Sequence, residues 1–105
     1  DIGNSKKSDT MSTIKKRIEW IVRGRVQLVM FRDFTKRKAE EFGIVGTVRN
    51  EKDGTVRVIA EGDETHLVLF LKQLEKGPFL SRVDSIETNL KDPTNEFSDF
   101  QILYV

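Results

Sequence analysis

Arg32 is the side chain whose type and position best suit chemistry on an anion. It follows residues 24–31, which link a predicted strand to a predicted helix, so it lies in the first turn of that helix. Helix N-termini present unpaired N–H groups and a positive dipole end, which bind phosphate-like anions. A cationic side chain there opposes the dipole unless an anion lies between the two. By position alone, an anion site and an ordinary surface arginine are equally good interpretations.

The charges around Arg32 are unevenly distributed along the chain. Residues 15–38 carry nine basic and two acidic side chains, a net charge of +7, whereas residues 39–105 carry seven basic and thirteen acidic ones, a net charge of −6. The total of +1 conceals this asymmetry, which favours attraction of anions to the first segment. Lys36, Arg37 and Lys38 are expected to be solvated helix surface.

The elements that must position Arg32 follow from the periodicity of apolar residues. Alternation predicts a first strand around 18–22, ended by Gly24, with Trp20 in the core. Spacing of three and four predicts a helix over 31–42, ended by Gly43. Strands over 45–49 and 56–60 are joined by an Asp-Gly turn. A second helix, capped by Asp63 and stopped at 77–78, precedes strands over 83–90 and 100–104.

This order predicts an α/β (α+β) ferredoxin-like sandwich. The arrangement is βαββαβ with an extra C-terminal strand, and both helices cover one face of a mostly antiparallel sheet. Residues 1–13 are polar and without periodicity, and we expect a disordered N-terminal extension or leader there. Residues 14–105 are expected to form the single domain.

The composition excludes several classes of site. The 105-residue chain has no cysteine, which rules out disulfides, thiolate metal sites and cysteine nucleophiles. With His66 as its one histidine, a histidine-built metal site is not expected either, and His66 is expected to face solvent. The longest apolar run, 67–71, is far shorter than the ~20 residues of a membrane helix, and residues 1–10 lack a signal-peptide core. We expect a soluble, cytoplasmic, monomeric protein that binds no membrane.

Two segments carry a resemblance to a known family. Residues 22–32 closely resemble the first signature of the acylphosphatases, Gly-x-Val-Gln-Gly-Val-x-Phe-Arg. The second signature is matched by Gly46, by Val48-Arg49-Asn50 and by the later glycines at 54 and 62. Residues 100–104 are similar to the family's closing strand, so the resemblance spans about residues 16–104. Residues 14–105 are therefore identified as an acylphosphatase-like domain.

The resemblance implies hydrolysis of the carboxyl–phosphate bond of small acyl phosphates to a carboxylate and inorganic phosphate, without metal or cofactor. Arg32 would bind the phosphate and Asn50 would orient the attacking water. Without the resemblance, Asn50 is better interpreted as a turn former. A carboxylate is a good leaving group, so positioning and charge stabilisation can supply the catalysis. Inorganic phosphate would be product and competitor. The loop implied to cradle the phosphate comprises Gln27, Leu28, Val29, Met30, Phe31 and Arg32.

Two positions depart from the family pattern. Leu28 stands where the family has glycine, and a leucine held at positive φ costs roughly 1 kcal/mol or more. Thr47 replaces the aromatic residue that usually follows the glycine of the second signature. Neither change removes a catalytic group. We therefore expect the protein to remain active, with a lower rate or with altered access of substrates to the site.

Two other functions compete with hydrolysis. The first is a non-catalytic ferredoxin-like module that binds phosphate or another anion for regulation, which Leu28 and Thr47 favour and retention of Arg32 and Asn50 opposes. The second is RNA binding, since RNA-recognition domains share the order of elements. The third predicted strand, however, contains no aromatic residue on which a base could stack. We therefore expect no nucleic-acid partner.

Overall fold

The computed structural model describes residues 14–104, which form one five-stranded sheet covered on one face by two helices. The prediction of disorder for residues 1–13 lies outside the described residues. The sheet has the order β4-β1-β3-β2-β5. In chain order the elements are β1 (Lys15–Arg25), α1 (Phe31–Glu41), β2 (Val45–Asn50), β3 (Val56–Asp63), α2 (Glu64–Lys76), β4 (Arg82–Lys91) and β5 (Phe100–Leu103).

The pairing of the strands confirms the ferredoxin-like α+β sandwich. Strand β1 lies between β3 and β4 and is antiparallel to both, and β2 is antiparallel to β3. Strand β5 pairs in parallel with β2, with Leu103 opposite Arg49. The chain therefore leaves β5 at the same end of the sheet where β2 ends, and Tyr104 follows β5 beside Asn50.

The core lies between the sheet and the helices. Trp20 of β1 contacts Phe70 of α2 edge to face, with ring centroids 5.8 Å apart, and Phe70 contacts Phe100 of β5 at 6.2 Å. Aromatic pairs in this geometry add about 0.5–1.5 kcal/mol to the burial of their surface. The predicted core position of Trp20 is confirmed, as is the exposure of His66. No helix within residues 14–104 is long and apolar enough to cross a membrane.

The helix ends follow the sequence signals. Gly43, at φ +67°, ends α1 in a Schellman motif, in which the N–H of Ile44 donates to the carbonyl of Ala39 at 2.8 Å. Asp63 caps α2 by accepting a hydrogen bond from the N–H of Thr65 at 3.2 Å. Both helices therefore have a fixed length, and α1 begins directly after the loop that contains the candidate residues.

Three details of the prediction were wrong. Gly24 does not end β1, which continues to Arg25 through an irregularity in its pairing with β4. A Cβ at Gly24 would lie 2.0 Å from the carbonyl oxygen of Arg82, so glycine permits this close approach. Lys36 is half-buried and donates to the carbonyl of Phe100 at 2.7 Å, because β5 packs beside α1. Strand β5 ends at residue 103, which leaves Tyr104 outside the sheet.

Residues 92–99 connect the two edge strands across the face of the sheet opposite the helices. Glu61, buried on that face, fixes the connection by accepting hydrogen bonds from Arg17 at 2.9 Å and from the N–H groups of Thr94 and Asn95 at 2.9 and 3.1 Å. Burial alone raises the pKa of Glu61, but these hydrogen bonds outweigh it and hold the pKa below its ordinary value. The ionised carboxylate thereby fixes the position of residues 92–99, which lead into β5.

Candidate active site

The loop between β1 and α1 has an unusual backbone. Leu28 and Met30 both have φ of 62°, the left-handed region that non-glycine residues rarely occupy. Such residues turn successive N–H groups toward one side, which forms a concavity suited to anions. Met30 is the N-cap of α1 and provides no side-chain cap. In the part of the chain that the structure describes, the N–H groups of residues 28–33 have no acceptor, so they are available to a ligand.

Gln27 connects this loop to the turn between β2 and β3. Its Nε2 donates to the carbonyl of Glu51 at 2.8 Å and to that of Thr55 at 2.9 Å. Both amide hydrogens are therefore used within the protein. The side chain of Gln27 holds two loops together, and a phosphate would meet its backbone rather than its amide.

The turn over 51–55 positions Asn50. The N–H of Glu51 donates to the carbonyl of Thr55 at 2.8 Å, and the carboxylate of Asp53 accepts from the N–H and hydroxyl of Thr55 at 3.0 and 2.7 Å. The hydrogen bonds from Thr55 lower the pKa of Asp53. Asn50 itself has a buried Oδ1 with no hydrogen-bond partner among the described residues. An unsatisfied buried acceptor costs about 1–3 kcal/mol, which a donor from water or ligand would offset.

A cleft of about 290 Å³ brings Arg32 and Asn50 together. Of the six loop residues singled out in the sequence, Gln27 and Val29 do not line it. Thr47 does not line it either, because it lies on the other face of β2. Its lining residues are Val26, Leu28, Met30, Phe31, Arg32, Asp33, Asn50, Ile102 and Tyr104.

Arg32 is the cation of the cleft. Among residues 14–104 no carboxylate pairs with it, and its guanidinium lies over the ring of Tyr104, 4.8 Å from the centroid. A cation over an aromatic face is held by about 0.5–1 kcal/mol without losing its charge. The one carboxylate in the lining, Asp33, pairs with Arg37 at 3.2 Å, which reduces its repulsion of an anion. Arg32 is thus held in place and remains available to an anion.

Other basic residues of segment 15–38 are neutralised by partners. Five of the nine pair with carboxylates of the described chain, and none of the five lines the cleft. They are Arg17, Arg23, Lys36, Arg37 and Lys38. The positive charge that the sequence concentrates in this segment therefore reaches the cleft through Arg32.

A larger groove of about 790 Å³ lies on the open face of the sheet and also touches Asn50. Three arginines line it, but each is paired with a carboxylate: Arg23 with Glu87 at 3.2 Å, Arg49 with Glu51 at 2.7 Å, and Arg57 with Glu19. With Lys52 added, the four basic side chains at the groove are matched in number by the carboxylates of Glu19, Glu51, Asp53 and Glu87, which leaves little net positive charge for an anion. The smaller cleft is therefore the better anion site.

The cleft combines a free guanidinium, unpaired N–H groups and an unsatisfied carboxamide. This set can hold a tetrahedral oxyanion and orient a water beside it. Tyr104 and Ile102 were missed in the sequence, because their place in the cleft depends on the parallel pairing of β5 with β2. Within residues 14–104, no group of three or more acidic or histidine side chains could hold a metal ion.

Comparison with known proteins gives consistent matches. A family model described as Acylphosphatase matches residues 18–102. An acylphosphatase of an Arthrobacter species is 46% identical over 83 residues, covering 79% of this chain and 76% of its own. An acylphosphatase of Leuconostoc mesenteroides is 49% identical over 89 residues, covering 83% and 97%. The crystal structure of acylphosphatase from Bacillus subtilis superposes with a TM-score of 0.82 at 34% identity, covering 85% of this chain and 99% of that one.

Proposed function

The chain belongs to the acylphosphatase family, whose enzymes hydrolyse acyl phosphates, and we propose how the residues of its cleft carry out this reaction. Arg32 and the N–H groups of residues 28–33 bind the phosphoryl group, and Asn50 orients the water that attacks it. The single observation that carries this proposal is the convergence of the unpaired Arg32 and the unsatisfied Asn50 on one cleft.

The phosphoryl group binds where positive charge and donors coincide. The guanidinium of Arg32 can donate two parallel hydrogen bonds to phosphoryl oxygens. The N–H groups before and within the first turn of α1 contribute further donors and the positive end of the helix dipole. These groups stabilise the charge on the phosphoryl oxygens as the bond to the carboxylate breaks.

Asn50 acts on the other side of the phosphorus. Its carbonyl oxygen accepts a hydrogen bond from the attacking water, which removes the cost of the unsatisfied Oδ1. A neutral amide suits this position because a carboxylate would repel the incoming anion. Water attacks phosphorus, the bond to the acyl oxygen breaks, and the carboxylate and inorganic phosphate leave. Charge stabilisation comes from Arg32 and the N–H groups, so we propose that turnover needs no metal ion.

The test is hydrolysis of benzoyl phosphate with EDTA present, by the purified protein and by Arg32→Ala and Asn50→Ala variants. We expect both variants to lose at least about a hundredfold in kcat, as removal of one stabilising donor does in other sites. Arg32→Ala should also abolish competition by inorganic phosphate, whereas Asn50→Ala should retain much of it. Circular dichroism and urea unfolding show whether each variant is folded.

Arg25→Ala provides the matched control. Arg25 is an exposed arginine of the same basic segment and does not line the cleft, so its loss should change kcat by less than about threefold. Full activity in a folded Arg32→Ala variant would contradict the phosphate-binding role. Full activity in a folded Asn50→Ala variant would contradict the water-orienting role.

We further propose that the protein acts as a cytoplasmic monomer on small acyl phosphates and has no nucleic-acid partner. The support is its single small domain, the absence of cysteine and the occurrence of the complete candidate site within one chain. Light scattering after gel filtration tests the monomer.

A further inference from the structure

Three large apolar side chains at the cleft are exposed to solvent. Leu28 is 97% exposed, Tyr104 is 76% exposed and Met30 is 71% exposed, and all three line the cleft that holds Arg32. Scattered exposed apolar residues are ordinary on a protein surface. Three of them on the walls of one cleft, next to a phosphate-binding cation, form a local surface of a different character.

Leu28 contributes little to the stability of the fold. It packs against almost nothing, and its φ of 62° is strained for a residue with a Cβ. Asparagine, aspartate or glycine would suit this backbone better. A strained, exposed leucine at the site is best explained by a contact that the folded protein alone does not make.

The exposed part of the Tyr104 ring can contact the same bound group as Leu28. One face of its ring is covered by the guanidinium of Arg32, at 4.8 Å, yet most of the side chain remains exposed. A group attached to a phosphoryl bound at Arg32 would therefore emerge beside the uncovered part of the ring. On the other side it would meet Leu28 and Met30, which belong to the loop that surrounds the phosphoryl.

The charges of the cleft restrict what that group can be. Among residues 14–104, two charged side chains line the cleft: Arg32, which is engaged by the phosphoryl group, and Asp33, an acid that pairs with Arg37. An acyl group that carries a carboxylate of its own would find no free cation among these lining residues, because Arg32 already holds the phosphoryl group. The volume of about 290 Å³ lies just below the usual range of ligand pockets, ~300–1,000 Å³, which suits one ring or a short aliphatic chain.

We propose that Leu28, Met30 and Tyr104 form an acyl subsite that selects uncharged, apolar acyl phosphates, with Leu28 as the specificity-determining residue. This inference rests on the proposed function, because the phosphoryl group must first bind at Arg32. The subsite buries the acyl group between the loop and Tyr104, and apolar burial lowers KM more than it raises kcat.

The experiment compares kcat/KM for benzoyl phosphate, acetyl phosphate and succinyl phosphate. We expect benzoyl phosphate to exceed acetyl phosphate by about tenfold, the lower end of what an apolar contact supplies in specificity. Succinyl phosphate should be the poorest of the three. Because these substrates differ in leaving group, the inhibition constants of benzylphosphonate and methylphosphonate provide a second comparison in which no bond breaks.

Two substitutions at Leu28 distinguish the effect of its apolar side chain from the effect of its strained backbone. Leu28→Asn introduces a residue that tolerates positive φ and removes the apolar surface. The ratio of kcat/KM for benzoyl phosphate to that for acetyl phosphate should therefore fall about fivefold, mostly through a higher KM for benzoyl phosphate. Leu28→Gly removes the strain as well, and the ratio should fall by a similar factor. Leu90→Asn, at an exposed leucine of β4 that does not line the cleft, should leave the ratio unchanged.

The outcomes distinguish the inference from the proposed function. Equal kcat/KM for benzoyl and acetyl phosphate, or an unchanged ratio in Leu28→Asn, overturns the acyl subsite while leaving the hydrolysis established. Preference for succinyl phosphate overturns it as well. Absence of turnover with all three substrates, together with no inhibition by phosphate, contradicts the proposed function and with it the subsite.

Discussion

Replacement of Gln27 by methionine tests whether this side chain positions Asn50, the proposed water-orienting residue. In the structure its amide donates to the carbonyls of Glu51 and Thr55 at 2.8 and 2.9 Å. Methionine has nearly the same length and shape but no donor, so the substitution removes both hydrogen bonds without opening a large cavity. The turn beside Asn50 then loses its connection to the loop between β1 and α1.

The magnitude follows from the partners that remain. A neutral hydrogen bond contributes about 0.5–1.5 kcal/mol net, so two contribute about 1–3 kcal/mol. Each carbonyl keeps another donor, since Gly54 donates to Glu51 at 3.2 Å and Glu51 donates to Thr55 at 2.8 Å. Neither acceptor is left unsatisfied, which places the loss in the lower half of that range, about 1–2 kcal/mol. For a domain of this size, such a loss lowers Tm by about 5–15 °C.

The activity should change in a specific way. A displacement of Asn50 by a fraction of an ångström moves the attacking water away from phosphorus, and misplacement by 1 Å can cost about a hundredfold. We expect Gln27→Met to lower kcat for benzoyl phosphate by about tenfold. The inhibition constant of inorganic phosphate should change less, because Arg32 and the loop N–H groups remain.

Urea unfolding, thermal unfolding and steady-state kinetics on the same preparation provide the assay. Gln73→Met, a substitution on α2 away from the cleft, is the matched control and should leave kcat unchanged. An unfolding free energy equal to that of the parent protein, with a large rise in the inhibition constant of phosphate, would refute the reasoning. It would show that the amide of Gln27 serves the phosphate directly.

Two further predictions concern stability. Gly46→Ala should destabilise the protein by about 3 kcal/mol or more, because the new Cβ would lie 1.8 Å from the carbonyl oxygen of Ile59 at a φ of +147°. Gly54→Ala, where no atom lies within 4 Å, should cost only the backbone strain, about 1–2 kcal/mol; equal losses in urea unfolding would contradict the steric explanation. The folded-state pKa of Glu61 lies below its unfolded value, so its contribution to stability is complete above the unfolded pKa and is lost as the pH falls through the folded one. Glu61→Gln should therefore flatten the decline of the unfolding free energy below about pH 4, and an unchanged slope would show that Glu61 does not contribute to it.

The sequence alone predicted the order of elements, because each signal for an element is local. Gly43 and Asp63 mark helix ends through the conformations and caps that those residues favour. Alternation around Trp20 placed it in the core. Lys36 was misplaced on the solvated surface, since its partner is the carbonyl of Phe100, 64 residues away in the chain. No periodicity within a helix reports such a partner.

For the site, residue type and motif singled out Arg32 and Asn50, and the fold decided their surroundings. Lys36, Arg37 and Lys38 pair with carboxylates three or four residues away in α1, but only the tertiary structure paired Arg17 with Glu61 and Arg23 with Glu87. It also placed Arg32 in the cleft, where no carboxylate among residues 14–104 pairs with it. It brought the amide of Gln27 within hydrogen-bonding distance of the carbonyls of Glu51 and Thr55, which lie 24 and 28 residues further along the chain. The parallel pairing of β5 with β2 likewise brought Tyr104 over Arg32. The sequence determined which chemical groups are present. The partners of Gln27 and Arg32, however, lie in distant segments of the chain, and these contacts form only when the chain folds.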